Sequence, residues 1–467
     1  MTLQLRRRAL TGIFCASLGA CSVGPTYQRP TIDHPAQWHE SATSVTSPSE
    51  SVWPDRQWWH GFGSSDLDEL IAEAERSNDD LAGAMARVQE ADAQARIAGA
   101  PLLPSVDFGA DGTRERAQVT GQGPRVFNIF NPQITASYEL DFWGKNRALR
   151  AAARAQAVAS RYDQQTVALT VVSSVAQTYF QVLEFRDRLE VARQNLDNGR
   201  KILHGLNVEQ SVGTATGLDV AQQETTVALL DAAIPPLLQQ YRQSIYALAV
   251  LIGRIPESLD IGDGSLTTLS QPTIVSGLPS QLLARRPDVA EAEQQLIAAN
   301  ADITVARAAL FPDIELTATG GYSSNMLDSL INPFNRVYAV SAGLTQPIFH
   351  GGALRGQVTF TKARYTELLT TYHKTVLTAF SNVEGALVAT RQTAEQEERQ
   401  REAVVKARRA YEFAQMQMKA GTVNILTVLN TENALFSAQD VLVQVQYSHL
   451  QAMIDLFTAL GGGWRQG

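Results

Sequence analysis

Residues 133–142 read Gln-Ile-Thr-Ala-Ser-Tyr-Glu-Leu-Asp-Phe, and the run from Lys145 to Asn198 contains neither glycine nor proline. Ten residues of strict alternation between polar and apolar side chains predict a β-strand with one apolar face. The 54 residues without a helix breaker (198 − 145 + 1) predict a helix several times the usual length. Apolar residues recur in it at steps of four and three from Ala151 to Leu183, which is the spacing of a coiled-coil seam. The chain therefore joins an amphipathic strand to a long, closely packed helix.

The same succession of residues occurs twice along the chain, with an offset of 208. The register holds across proline, glycine and glutamate positions, which favours a tandem duplication over chance similarity between alanine-rich helices. The matched pairs include Pro104/Pro312, Gly213/Gly421, Leu218/Leu426, Val220/Val428, Glu224/Glu432 and Gly253/Gly461.

We predict two repeats, 62–255 and 279–464, each made of a helix, a β-hairpin, a long helix and a returning helix. The hairpin, long helix and returning helix span 104–142, 145–205 and 217–252 in the first repeat and 312–349, 354–419 and 424–460 in the second. A connector at 256–278 joins the repeats, and residues 465–467 form a tail. Pro235-Pro236 predicts a kink or break in the first returning helix.

Both predicted hairpins carry apolar side chains at every second residue. These positions are Val106, Phe108, Ala110, Ile134, Ala136, Tyr138, Leu140 and Phe142 in the first hairpin, and Ile314, Leu316, Ala318, Tyr322, Tyr338, Val340, Ala342, Leu344 and Ile348 in the second. Such segments suit either a half-buried sheet of a soluble protein or the strands of a transmembrane barrel.

The N-terminal residues MTLQLRRRALTGIFCASLGAC have a basic start, a short apolar stretch and small residues before Cys21. This layout predicts a secretory signal peptide over 1–20, too short to remain as a membrane-spanning helix. Leu18-Gly-Ala-Cys21 resembles a bacterial lipobox, which implies S-diacylglycerol and N-acyl chains on Cys21; the alternative is an ordinary cleavage site and an incidental cysteine. Ser22 then favours the outer membrane, by resemblance to lipoprotein sorting. Residues 21–61 are predicted to be a lipidated tether with a Ser/Thr-rich stretch.

Composition narrows the function by exclusion. The formal charge of −8, from 39 basic and 47 acidic residues, does not suggest a nucleic-acid partner. Two cysteines and seven scattered histidines give no metal-ligand spacing, and the sequence has no GxSxG elbow and no phosphate loop. We therefore expect neither an enzyme nor a metal or other cofactor beyond the lipid on Cys21.

Four strands per chain cannot close a transmembrane barrel by themselves, because the smallest barrels have eight. An open edge in lipid would leave N–H and C=O groups unpaired, so other chains must complete the barrel. Two chains would supply 2 × 4 = 8 strands and three would supply 3 × 4 = 12. We expect the long helices to lie in water on the lipidated side, because no run of 18 apolar residues follows the signal peptide.

With these features the chain resembles the outer membrane factors, the TolC-like exit ducts of tripartite efflux and secretion systems. It is most similar to their lipoprotein branch of NodT and OprM-type channels. The motifs that carry the resemblance lie at 21–30, 58–62, 278–288, 308–312, 346–352 and 460–464. The resemblance implies a mainly α fold with a small transmembrane β part, in which a trimeric α-barrel continues into a 12-stranded β-barrel.

The same resemblance implies a homotrimer, a periplasmic adaptor (membrane fusion protein) and an inner-membrane pump of the resistance-nodulation-division or major-facilitator type. The chain would then be a passive exit duct for small toxic compounds such as antibiotics or aromatic organic acids, in contact with outer membrane lipid. The alternatives are a duct for type I secretion or metal export and, in a different class, a structural coiled-coil lipoprotein.

The resemblance also assigns candidate site residues at two turns. Gly213-Thr214 and Gly421-Thr422 correspond to the periplasmic tips that meet the adaptor, although glycine also suits a helix C-terminus with positive φ without any partner.

The gate acids of several family members lie six and nine positions after the second tip glycine. They correspond to Thr427 and Asn430, and the equivalent of Thr427 in the first repeat is Asp219. We therefore expect a polar constriction with less negative charge than usual and weak block by divalent cations.

Overall fold

The computed structural model describes residues 23–33, 35–40, 54–119, 123–272, 274 and 279–465. The predicted signal peptide, Cys21 and nearly all of the Ser/Thr-rich stretch lie outside the described residues. Within the described part of the chain, most residues are helical and four strands form one sheet. This confirms the prediction of a mainly α fold with four strands per chain.

The elements are named here in chain order. The helices are α1 (Ser65–Ser77), α2 (Asp79–Gly99), α3 (Lys145–Ser211), α4 (Gly217–Ala232), α5 (Ile234–Leu251), α6 (Pro279–Leu282), α7 (Pro287–Ala308), α8 (Ala353–Lys419) and α9 (Ile425–Ala459). The strands are β1 (Ser105–Val119), β2 (Gly123–Glu139), β3 (Asp313–Tyr322) and β4 (Arg336–Thr345). Short 3-10 helices lie at Trp58–Phe62, Ala100–Leu102, Pro256–Ser258, Leu266–Thr268 and Pro333–Asn335.

The long helices and the returning helices of the two repeats begin 208 residues apart. The long helices α3 and α8 start at residues 145 and 353, and each contains 67 residues. The returning helices start at 217 and 425, and the last residues of α5 and α9 are 251 and 459. The repeated backbone confirms the internal duplication.

The long helix α3 departs from its predicted end, whereas the first returning helix breaks next to Pro235-Pro236, as predicted. The predicted end of α3 at 205 is wrong, because Gly205 is accommodated inside the helix, which continues to Ser211. The predicted helix 217–252 is divided at Ala233, where α4 ends and α5 begins. Pro235 and Pro236 follow in the first turn of α5, where a backbone N–H has no helical partner and proline is tolerated.

The strands end earlier on their helix side than the alternation predicts. Leu140 and Phe142 lie beyond β2, contrary to the prediction, because the chain turns there into α3. The side chain of Asp141 accepts hydrogen bonds from the backbone N–H groups of Asn146 and Arg147, at 3.0 and 2.9 Å. These bonds satisfy N–H groups that the first turn of a helix leaves unpaired.

Ile348 likewise lies beyond β4, which ends at Thr345. Its predicted place in the strand is wrong because Pro347 has no N–H to donate to a strand ladder. The two predicted hairpins also join into one sheet in the order β1-β2-β3-β4.

The chain divides into two compact units that do not coincide with the repeats. Among the described residues, one unit contains those up to Thr31 with those of Arg87–Arg161 and Glu291–His373; the other contains those of Ile32–Ala86 and Tyr162–Ala290 and those from Lys374 onward. Each unit therefore takes segments from both repeats, and neither repeat folds around a core of its own.

The second unit has an aromatic core built partly by the Trp58–Phe62 motif. Trp58 stacks on Phe457 with ring centroids 4.8 Å apart, and Phe62 meets Phe180 edge to face at 5.0 Å. Phe62 and Phe180 are fully buried. This motif therefore packs a returning helix against a long helix.

Among the described residues, α3 is the one helix that is long and apolar enough to cross a membrane by composition. Half of its most apolar window of 18 residues, with a mean hydropathy of 1.3, is buried within the protein. A helix packed in a protein interior has the same property, so this composition fits the seam that we predicted along α3.

Candidate functional site

The four-stranded sheet has one apolar face and one polar face. Its strands pair in continuous antiparallel register, so residues on adjacent strands form rows that cross the sheet. In the part of the sheet where all four strands pair, successive rows alternate in chemistry, as expected when one face meets lipid and the other meets water. Two apolar rows are Val106/Ala136/Ala318/Val340 and Phe108/Ile134/Gly320/Tyr338, and two mainly polar rows are Ser105/Ser137/Thr317/Ser341 and Asp107/Thr135/Thr319/Ala339.

The outer strands of the sheet, β1 and β4, each pair on one side alone within the described residues. On β4 the apolar side chains Tyr338, Val340 and Leu344 are 88%, 81% and 67% exposed. An exposed apolar face bounded by unpaired strand edges is unstable in water and, at its edges, also in lipid. Within the described residues, the sheet leaves both this face and these two edges uncovered.

The turn after α3 has the geometry that the tip glycine predicts. Gly213 has φ +80°, and its N–H donates to the carbonyl of Gln210 at 3.0 Å. Thr214 donates its N–H to the carbonyl of Glu209 at 2.9 Å, which completes a Schellman motif. The Thr214 hydroxyl donates to the same carbonyl at 2.9 Å.

The turn after α8 repeats this motif. Gly421 has φ +70° and donates to the carbonyl of Met418 at 2.9 Å, and Thr422 donates to the carbonyl of Gln417 at 3.0 Å. Both tip Gly-Thr pairs therefore have a complete structural explanation, and all four residues are exposed. Adaptor binding at these tips stays a prediction.

The first candidate gate residue, Asp219, belongs to a helix cap. Its carboxylate accepts hydrogen bonds from the N–H and hydroxyl of Thr216 at 2.8 and 2.6 Å, and Thr216 caps α4 in return. These bonds from Thr216 lower the pKa of Asp219 below its usual value. Asp219 therefore carries its charge at any pH at which the protein is expected to work.

The second repeat has an equivalent cap, in which the accepting side chain belongs to the capping residue itself. Asn424 caps α9, and its side-chain oxygen accepts hydrogen bonds from the N–H and hydroxyl of Thr427 at 3.3 and 3.2 Å. Thr427 and Asn430 are exposed. Within the described chain no hydrogen bond or ion pair joins Asp219 to Thr427 or Asn430, so a single chain does not assemble the three into one cluster.

The helix ends next to both tips share one hydrophobic cluster. It contains Leu206 from α3, Val220 from α4, Tyr411 from α8, and Val428 and Leu429 from α9. All five are buried, so the two tips form one packed structure.

Glu432 is buried beside this cluster, and sequence inspection singled it out only as a repeat landmark. It is 0% exposed, and both of its carboxylate oxygens are buried without a hydrogen-bond partner among the described residues. Burial raises its pKa to about 7. The sequence signal was its position between the apolar pairs Val428-Leu429 and Leu435-Phe436, at helical spacings of three and four.

A second buried polar cluster is fully paired. Glu397 accepts a hydrogen bond from His449 at 2.7 Å and another from Arg401 at 2.5 Å, and both Glu397 and His449 are buried. The bond from His449, with help from Arg401, lowers the pKa of Glu397 to about 2. This cluster joins α8 to α9.

Part of the predicted tether is folded onto α7. The carbonyl of Val23 accepts a hydrogen bond from Arg307 at 3.4 Å. Gly24 lies against Thr304 so closely that a Cβ on it would be 1.7 Å from the threonine Oγ1. Further contacts along α7 join Pro25 to Asn300 at 3.1 Å and Arg29 to Glu293 at 2.9 Å.

Comparison with known proteins identifies the family. The family model described as "Outer membrane efflux protein" matches residues 70–254 and 278–462. The pyoverdine export outer membrane protein OpmQ of Pseudomonas putida is 40% identical, with 96% of each chain covered. The toluene efflux pump outer membrane protein TtgF of Pseudomonas putida is 32% identical, with 96% of this chain and 95% of that protein covered.

The fold matches solved outer-membrane channels. The open state of the Neisseria gonorrhoeae MtrE outer membrane channel superposes with a TM-score of 0.86 at 28% identity, covering 95% of this chain and 99% of that one. The sheet with one apolar face then lies in the outer membrane, the helices lie in the periplasm, and the duct works with an adaptor and an inner-membrane pump. The chain belongs to the outer membrane efflux protein family, and its function is that of an outer-membrane exit duct for efflux.

Proposed function

We propose that three copies of this chain form one duct, in which 3 × 4 = 12 strands close a β-barrel. The observation that carries the proposal is the sheet with one apolar face and two edges, β1 and β4, that are unpaired among the described residues. Edge pairing between copies would satisfy the N–H and C=O groups that lipid cannot. Twelve strands leave room for a lumen, whereas eight form a barrel filled by its own side chains.

The anchor of this duct is a diacylglycerol and an N-acyl chain on Cys21. Several acyl chains hold a protein on a membrane stably, where one chain would be marginal. The contacts of Val23 and Gly24 with the last turns of α7 support this anchor, because α7 is followed at once by β3. Loss of lipid in a Cys21→Ser variant, measured by mass spectrometry of the mature protein, tests it.

The two tips receive the adaptor, through exposed Gly213-Thr214 and Gly421-Thr422, and the adaptor joins them to a resistance-nodulation-division or major-facilitator pump. At the entrance three copies of Asp219, Thr427 and Asn430 form the constriction. It carries one acid per chain, which the cap on α4 keeps ionised. We expect weaker block by divalent cations than in a ring with two acids per chain.

The cargo is a class of small amphipathic compounds. The relatives named for pyoverdine export and toluene efflux support small organic molecules over a type I secretion substrate. Accumulation of such compounds in a deletion strain, restored by the gene on a plasmid, tests this part.

Planar-bilayer recording of the purified protein tests the duct itself. We expect discrete openings and a trimer mass by native mass spectrometry. Divalent cations added on the entrance side should reduce conductance only weakly, and strong block would refute the proposed gate. A mass other than that of the trimer would refute the twelve-stranded barrel.

A further inference from the structure

The two faces of the sheet differ in charge as well as in polarity. Even-numbered strand residues pair with even-numbered ones throughout the register, so they share one side of the sheet, which we call the even face. The apolar rows lie on this face. The odd-numbered strand residues form the odd face.

Every charged residue on the even face of the described strands is an arginine, and every acid is on the odd face. The even-face charges are Arg114, Arg116 and Arg336; the odd-face charges are Asp107, Asp111, Glu115, Glu139, Asp313 and Glu315, with one base, Arg125. An apolar face requires few charges but does not determine their sign. The segregation therefore needs a separate explanation.

The three even-face arginines lie toward one end of the strands. This is the turn end, where β1 turns into β2 and β3 into β4, opposite the end at which the strands join the helices. The helices lie in the periplasm, so the turn end is at the cell surface. Arg336 lies at the turn end of the four-stranded part of the sheet, and Arg114 and Arg116 lie farther along the β1–β2 hairpin, so the cations of the even face are on its cell-surface side.

A groove of about 440 Å³ lies beside one of these arginines on the even face. It is lined by Phe108, Ile134, Gly320 and Tyr338, with Arg336 at its turn-end side. The groove exists because Gly320 interrupts the apolar row: a Cβ there would meet nothing within 4 Å. Its volume is within the range of small-molecule sites.

Arg336 is free to receive an anion at the mouth of this groove. It is exposed, and among the described residues it has no ion pair. Its pairing partner on β3 is Tyr322, which also lines the groove. A guanidinium binds phosphate oxygens with two parallel hydrogen bonds, and a neighbouring phenol can add another.

We propose that this groove binds lipid A, the phosphorylated glycolipid of the outer leaflet, with an acyl chain over Gly320 and a phosphate on Arg336. The cell-surface level of the groove and the even-face arginines select lipid A over the phospholipids of the inner leaflet. This proposal rests on the proposed function in one respect only: the even face of the assembled duct must point to lipid.

Native mass spectrometry of the intact protein in detergent tests the site. Titration with bisphosphorylated lipid A gives bound lipid per trimer, and the same spectrum reports the trimer itself, so failed assembly is seen separately. Phosphatidylglycerol serves as the second lipid. The variants are Arg336→Gln, which removes the guanidinium, and Gly320→Leu, which fills the groove where there is open space.

We expect lipid A to bind at least ten-fold more weakly to Arg336→Gln, because a charge-assisted hydrogen-bond pair is lost, and more weakly to Gly320→Leu. The matched control is Arg125→Gln, which removes an arginine from the odd face and should leave binding unchanged. Equal losses in Arg336→Gln and Arg125→Gln, unchanged binding in Gly320→Leu, or equal affinity for phosphatidylglycerol would each overturn the proposal.

Discussion

Glu432 offers the sharpest test of how the region near the tips is built. Its carboxyl group is fully buried near Val428, Leu435 and Tyr411, and neither oxygen has a hydrogen-bond partner among the described residues. Its charge also affects a neighbouring phenol: burial, and then the charge of Glu432, raise the pKa of Tyr411 to about 12. We predict that Glu432→Gln, which keeps the volume and removes the charge, stabilises the protein at alkaline pH.

The magnitude follows from the pKa of Glu432, which burial raises from 4.5 to about 7. Each pKa unit corresponds to about 1.4 kcal/mol, so ionised Glu432 costs roughly 3 kcal/mol relative to its protonated form. The folded chain holds the proton to higher pH than the unfolded chain. The stability is therefore present below pH 4.5 and is lost as pH rises to about 7.

Thermal unfolding of the purified protein, followed by intrinsic fluorescence between pH 4.5 and pH 8.5, measures this effect. The midpoint of Glu432→Gln should match that of the wild type at pH 4.5 and exceed it at pH 8.5. Glu224→Gln is the matched control, since Glu224 occupies the equivalent position 208 residues earlier and is exposed. A gain that does not depend on pH, or a lower midpoint at pH 8.5, would refute an unpaired buried carboxylate.

Three further perturbations test other parts of the helical region. Glu397→Gln should destabilise the fold by roughly 2 kcal/mol at neutral pH. This loss of stability should become smaller as the pH falls from 4.5 toward 2, because the bond from His449 lowers the pKa of Glu397 to about 2. Thermal unfolding of both proteins at pH 7 and pH 3 checks it. Gly421→Ala should lower the free energy of unfolding by about 1 kcal/mol, since φ is +70° at this position. Gly385→Ala inside α8, where a Cβ would meet nothing within 4 Å, should instead raise it by about 0.5–1 kcal/mol. Denaturant titration measures both changes. Asp219→Asn should fray the first turn of α4 by weakening its cap, which amide exchange would show as faster exchange at the start of that helix.

Local sequence patterns were sufficient to predict the helices and the existence of the hairpins. A helix of 67 residues requires only the absence of breakers and a continuous seam, and both are visible in the sequence. The helix continues past Gly205 to Ser211, because an isolated glycine costs only about 1 kcal/mol, which a helix this long easily absorbs.

The joining of β2 to β3 could not be predicted, because it pairs residues from different repeats, more than 170 positions apart in sequence (Gln133 with Gly321). The full length of β2 could not be predicted from the sequence either. Pro132 interrupts its alternation, yet it is accommodated because the continuous pairing with β3 has ended at Gln133, so the strand has become an edge there. Register between distant strands depends on contacts that no local window contains.

The same distinction between local patterns and distant contacts applies to the candidate site. The tip glycines were predictable because positive φ is a property of the local backbone, and both caps lie within four residues of sequence. The burial of Glu432 was not predictable, because glutamate is almost always exposed and its environment here is supplied by other helices. The pairing of Glu397 with His449, 52 residues apart, has the same cause.

The two repeats share a backbone, but equivalent residues contribute differently to their stability. Glu224 and Glu432 occupy equivalent positions, yet the first is exposed and the second is buried without a partner. The cap acceptor is a carboxylate in the first tip and an amide in the second. An ionised buried carboxylate lowers the free energy of local opening of the helix that carries it, because opening returns the charge to water. Near neutral pH, the start of α9 should therefore open more readily than the start of α4, although both descend from one ancestral segment. The duplicated fold thus supplies two similar tips, and single residues such as Glu432 determine which of them opens at lower cost.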